Sequence, residues 1–216
     1  MQSYPVPGRD DDIRPGYRGY NFVWYRPTDE HVLLAQLCTD ATGRRHGVSI
    51  PPPLIRPEFI AELKTTARAM LAPQIAGIVE RTAEPFFHAI FDLESPRLTH
   101  GRVALLGDAA FVARPHVGMG ITKAGLDAQC LTDAIAQAGG NIDAALVRYE
   151  RKRWQFGTRI VAEARRLGAY LQAQLKPRAG RTEDELQQRP DVVLREIGSP
   201  LVDIRALGSA PIMTGT

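Results

Sequence analysis

Apolar and polar positions change period several times along this chain, and each change marks an element. Ile121, Ala124, Ala128, Leu131 and Ile135 recur at the spacing of one helical face, which predicts a helix over about 121–137. Gly139-Gly140 stops it, and Asn141 or Asp143 is placed to cap the next helix. In that helix Leu146, Tyr149, Phe156, Ile160, Leu167, Leu171 and Leu175 form one stripe up to Pro177, with Arg148, Arg151, Lys152, Arg159 and Arg166 mostly off it. Upstream, Pro57 opens a helix to about residue 71 in which Phe59, Leu63, Ala67 and Met70 share a face. Pro73 starts a shorter one to about residue 81.

The extended segments read less sharply. Residues 18–26 are aromatic and β-branched and predict a strand; residues 31–38 predict a second. The turn at 27–30 joins them into an antiparallel hairpin. Residues 48–50 predict a short third strand and residues 86–93 a returning one. Residues 102–106 are an apolar run of strand length, long enough to be buried on both faces. The Pro-, Gly-, Asp- and Arg-rich residues 1–19 read as loop. A capping box at 182–185 predicts one helical turn, residues 191–197 another, and the tail from Gly208 frays.

Composition narrows the class. The chain has 216 residues, 44% hydrophobic and 24% charged, which is ordinary globular usage. A net charge of +3 with scattered arginines argues against a nucleic-acid partner. Cys38 and Cys130 make neither a disulfide framework nor a metal site, and no His/Cys cluster has metal-ligand spacing. No apolar run reaches membrane-spanning length and the N-terminus has no signal region, so a soluble, cytoplasmic setting with no membrane partner is the expectation.

The chemistry concentrates at 101–120. Gly107-Asp108 places a carboxylate just past the carboxyl end of the 102–106 strand, the edge at which open α/β sheets bind ligands. Pro115, Gly118 and Gly120 then lead into the helix at 121. Glycines at a helix start let a ligand approach free N–H groups, and the positive end of the helix dipole favours an anion. A carboxylate suits sugar or polyol hydroxyls. The pairing describes a site for a large cofactor bearing both kinds of group; the plainer alternatives are an Asp capping its own loop and an ordinary glycine-rich helix entry.

Gly-Asp-Ala-Ala at 107–110, Pro115, Gly118-x-Gly120 and Asp127 in the next helix resemble the second flavin-binding motif of the FAD-dependent aromatic hydroxylases, the para-hydroxybenzoate hydroxylase group. The longer run Gly-Asp-Ala-Ala-Phe-Val-Ala-Arg-Pro-His at 107–116 is similar to the 2,6-dihydroxypyridine 3-monooxygenase branch of that family. The resemblance extends from residues 20–26 to beyond residue 175. It implies an α+β / α/β chain with substrate-side antiparallel strands, one strand of the FAD-binding sheet and long carboxyl-terminal helices. Residues 1–98 would be the substrate-side portion, 99–178 the second part of the FAD-binding domain, and 179–216 short helices and tail.

By the same resemblance the cofactor is FAD, with NAD(P)H as co-substrate, and the reaction is hydroxylation of an electron-rich aromatic or hydroxypyridine substrate. Gly107 and Asp108 would meet the ribityl chain, Pro115 the isoalloxazine ring, and the N–H groups of Gly118, Met119 and Gly120 its pyrimidine edge. His116 is the catalytic candidate: it would hydrogen-bond the substrate or help remove its proton, a task that a pKa near neutrality suits. Phe111 stands where the wider family has His, which argues against carrying over its substrate contacts. Phe111, Tyr25 and His88 are substrate-side candidates, although aromatic strand residues are more often core.

The opening strand and Gly-x-Gly-x-x-Gly of a dinucleotide site are missing: Gly118-x-Gly120 follows a loop and has Lys123 where the third glycine should stand. The family's middle Asp-Gly motif is missing too. The chain therefore reads as a carboxyl-terminal half, a truncated product or one piece of a split enzyme, expected to be inactive alone, with an amino-terminal partner half or a homo-oligomer as its candidate partner. An exposed sheet edge is expected where the neighbouring strands would lie. A non-catalytic fragment, or a halogenase or reductase of the same fold, are the competing readings.

Overall fold

A computed structural model describes residues 1–173 and 176–182. The helices expected near 182–185 and 191–197, Leu175 and the tail from Gly208 lie outside the described residues. The chain divides into two compact units, Met1–Ala89 and Ile90–Thr216.

In the first unit β1 (Gln2–Val6) pairs antiparallel with β2 (Gly19–Val23), in the register Tyr4 to Asn21. The first nineteen residues are therefore not all loop, because the aromatic β2 takes its partner from them. Asn21 donates to the Tyr4 hydroxyl across the pair at 2.8 Å. The hairpin expected between 18–26 and 31–38 does not form. The Asp29 carboxylate accepts the N–H groups of His31 and Val32, and its carbonyl accepts that of Leu34, so the chain turns into α1 (Leu33–Leu37). Leucine, alanine and glutamine then favour the helix. Residues 48–50 form no strand.

Between them, Asp40 is the hub of a tight turn: its carboxylate accepts from the Thr42 N–H and hydroxyl, the Arg44 N–H and the His46 ring. Two helices follow, each with proline in its first turn, α2 (Pro57–Met70) and α3 (Pro73–Arg81). Arg26 makes two hydrogen bonds to Glu62 of α2.

The second unit carries the short strands β3 (Leu93–Glu94), β4 (Thr99–His100), β5 (Val103–Ala104) and β6 (Phe111–Val112), then the helices α4 (Gly120–Gln137) and α5 (Ile142–Gln172). The strand expected over 86–93 shrinks to β3, because its partner β6 is only two residues long. The strand expected over 102–106 shrinks to β5, paired with β4 across Gly101. It is not buried on both faces: Val103 is 59% exposed. Asn141 caps α5 by accepting the Ala144 N–H at 3.0 Å. Residues 90–98 belong to this unit through side chains, with Arg165 of α5 paired to Asp92 and Glu94, and Glu150 accepting the Leu98 and Thr99 N–H groups.

Candidate functional site

Gly107 begins a single 3-10 turn, Gly107–Ala109, whose shape requires a positive φ of 57° at the glycine. This turn packs directly on α4. A Cβ built on Gly107 would lie 3.3 Å from the Ala124 Cβ, so a side chain there would push turn and helix apart. The Gly107 N–H donates to the Asp127 carboxylate one helical turn further along, at 2.9 Å. The turn thereby presents Asp108 outward, its side chain 77% exposed, beside the start of α4.

Under the turn lies a buried charge network. Asp127 accepts from Arg153 of α5 at 2.6 Å, and the Arg153 guanidinium lies over the Phe156 ring. Lys123, only 1% exposed, extends its ammonium to 3.9 Å from Asp108 Oδ1 and 4.0 Å from Asp127 Oδ2. Burial pushes the Lys123 pKa down, while Asp127 and Asp108 pull against that shift. Tyr149 of α5 donates to the Leu105 carbonyl at 2.7 Å, fixing the approach to the turn, and burial raises its phenol. Cation and carboxylates here come from a strand-end turn and two helices.

Pro115–Val117 makes a second 3-10 turn, closed by Gly118 in the left-handed region at φ 64°. The Gly118 N–H is already used, donating to the Pro115 carbonyl at 3.0 Å. Gly118 thus shapes the turn, and beyond it Met119 is buried while Gly120 is exposed. Met119 precedes α4 with no side-chain cap, so no N-cap side chain takes up the first-turn N–H groups of the helix. A Cβ on Gly120 would meet nothing within 4 Å, and Pro115 is exposed. The Met119 side chain, by contrast, is core.

His116 lies beneath this turn, 3% exposed, against α5, where a Cβ on Gly168 would fall 3.1 Å from its Nδ1. Burial, reinforced by Arg114 and opposed by Asp92, pushes the imidazole down to about 4. The near-neutral titration expected of it is not what this environment provides. At neutral pH it is a neutral hydrogen-bonding group and a weak base. Because its folded pKa is below the ordinary 6.5, the unfolded chain binds the extra proton first. His116 therefore takes nothing from stability above that value, and reduces it progressively as pH falls towards 4. Urea unfolding of wild type and His116→Asn across pH 7 to 4 checks this: the wild-type curve should fall more steeply, by up to about 3 kcal/mol. Parallel curves would contradict it.

The remaining candidates separate. Phe111 is 2% exposed and fills a notch over Gly157 of α5, so its contacts are with the core. Tyr25 and His88 belong to the first unit. Tyr25 is half-buried with its phenol pKa raised by burial, and His88 stacks edge-on to Phe86 at 5.2 Å. Lys123 and Arg153 were not anticipated. The one sequence signal for them is the Lys123–Asp127 spacing of four, which places both on one helix face. Among the described residues no group of three or more His, Cys, Asp or Glu could hold a metal ion, and no helix is long and apolar enough to cross a membrane.

Known proteins resemble this chain in sequence and in fold. A family model described as FAD binding domain-like matches residues 1–92. The 2,6-dihydroxypyridine 3-monooxygenase of Paenarthrobacter nicotinovorans is 29% identical over 170 residues, covering 79% of this chain and 42% of that protein. The 6-hydroxynicotinate 3-monooxygenase of Bordetella bronchiseptica is 31% identical, covering 67% of this chain and 44% of that protein. The solved structure of 2,6-dihydroxypyridine-3-hydroxylase from Arthrobacter nicotinovorans superposes with a TM-score of 0.69 at 28% identity, over 79% of this chain and 42% of that one. The chain thus spans less than half the length of the relatives it matches. By sequence and by fold, it is a partial relative of the FAD-dependent aromatic hydroxylases.

Proposed function

We propose that this chain supplies the ribityl and isoalloxazine side of an FAD site in a monooxygenase acting on an electron-rich ring such as a hydroxypyridine. One observation carries the proposal: the outward carboxylate of Asp108 lies beside the first turn of α4, whose start has no side-chain cap. Asp108 accepts from ribityl hydroxyls. The Met119 and Gly120 N–H groups, with the helix dipole behind them, stabilise negative charge at the pyrimidine edge. Gly107 and Gly118 shape the two turns, and Pro115 lies against the ring. His116, held neutral, orients the face of the site as a hydrogen-bonding group. FAD, reduced by NAD(P)H, is what supplies oxygen activation when bound. The hydroxypyridine relatives support the substrate class.

This sequence holds no Gly-x-Gly-x-x-Gly, so the proposal assigns recognition of the ADP moiety, and with it full activity, to a segment or partner half beyond it. Purified chain titrated with FAD, FMN and ADP tests the assignment. FAD and FMN should bind comparably and weakly, losing flavin on gel filtration, and ADP should not compete. Asp108→Ala should weaken both flavins by about tenfold, the size of a lost charge-assisted hydrogen bond. ADP competition, or unchanged affinity in the variant, would refute the assignment, and a stable yellow stoichiometric complex would refute the need for a partner. With a partner half, NAD(P)H turnover stimulated by hydroxypyridines separates a hydroxylase from a halogenase or reductase of the same fold.

A further inference from the structure

Asp108 has a neighbour that ligand binding alone does not require. Lys123 Nζ is buried without any hydrogen bond, although an ammonium carries three donors. Taking such a group out of water is costly, and a methionine of similar length would remove the cost. Asp127 does not need the lysine, since Arg153 already pairs with it at 2.6 Å. Asp108 does: among the described residues Lys123 is its one ion-pair partner.

We propose that Lys123 is a positioning residue, whose buried ammonium holds the exposed Asp108 carboxylate ready for the hydroxyls of a bound polyol. This rests on the flavin assignment above only for the identity of that polyol, the ribityl chain. Lys123 cannot touch a ligand itself, because its ammonium is enclosed beneath the turn. It acts by limiting the orientations of a side chain that would otherwise lose rotational freedom on binding. A cation kept at the expense of stability is the expected mark of a functional position.

The test compares the full chain with Lys123→Met, Asp108→Asn and the double variant, and uses three readouts: thermal midpoint, amide hydrogen exchange at 107–109, and FMN affinity. Lys123→Met should keep or raise the midpoint, speed exchange in the turn several-fold and weaken FMN by about tenfold. The double variant should bind FMN no worse than Asp108→Asn alone, because the lysine works through the aspartate. A lowered midpoint would make Lys123 a structural strut, and multiplied losses in the double variant would mean it acts elsewhere; either overturns the proposal. So does unchanged exchange. Should Lys123→Met fail to fold, Lys123→Gln is measured in its place, and failure of both variants also identifies a strut. If wild type binds no FMN, the flavin assignment falls while the exchange comparison still decides the role of Lys123.

Discussion

Asp127→Ala should lower the unfolding free energy by about 3–5 kcal/mol, a large part of the stability of an ordinary domain. The Asp127 side chain is almost wholly buried and does three things at once. It accepts from Arg153, accepts the Gly107 N–H, and balances Lys123. Alanine leaves a guanidinium and an ammonium in a low-dielectric interior, with exposed Asp108 as the ion-pair partner left to the ammonium. The Gly107 N–H also loses its acceptor, so the turn carrying Asp108 loosens and flavin affinity should fall with stability. Asp127→Asn separates the contributions: its amide oxygen still accepts from Gly107 while the charge is gone. Urea denaturation of the three proteins measures the series. A loss below about 1 kcal/mol for alanine would mean that water or alternative partners reach these cations.

Gly157→Ala should cost about 2 kcal/mol, although the same substitution in an exposed helix interior gains about 1 kcal/mol. Packing decides the sign. A Cβ at 157 would overlap the Phe111 ring at Cδ2 and Cε2, and that ring is buried in the core. Because β6 directly follows the 107–110 segment, displacing Phe111 also disturbs the turn. Gly125→Ala on α4, where a Cβ meets nothing within 4 Å, is the control and should stabilise. Shortening the ring with Phe111→Leu in the Gly157→Ala background should restore part of the loss. Thermal melts of the four proteins check both signs, and a stabilised Gly157→Ala would show that α5 can move away from β6.

The helices were legible because their signals are local. Proline at the first turn, glycines past the end and a repeating apolar face set the limits of α2, α3, α4 and α5 to within a residue or two through residue 172. The Gly-Asp turn and the glycines before α4 were legible for the same reason: a positive φ and an open helix start constrain the residue types at those positions. Strand pairing was not. Which segment meets β2 depends on partners 13 to 21 residues away, from Val6–Gly19 to Gln2–Val23, and α1 formed instead of a strand because one carboxylate, Asp29, captured the next N–H groups.

The site divides along the same line. Its outline, Gly107, Asp108, Pro115, Gly118 and Gly120, follows from residue type and spacing along the chain. Its electrostatics do not: the cation beneath Asp108 and the Arg153 that completes Asp127 come from α4 and α5, and the imidazole of His116 is held near 4 by burial and by Arg114. Order along the chain determines which backbone shapes are permitted. Only the meeting of distant segments decides which charges lose their water, and that loss sets the protonation and orientation of each group.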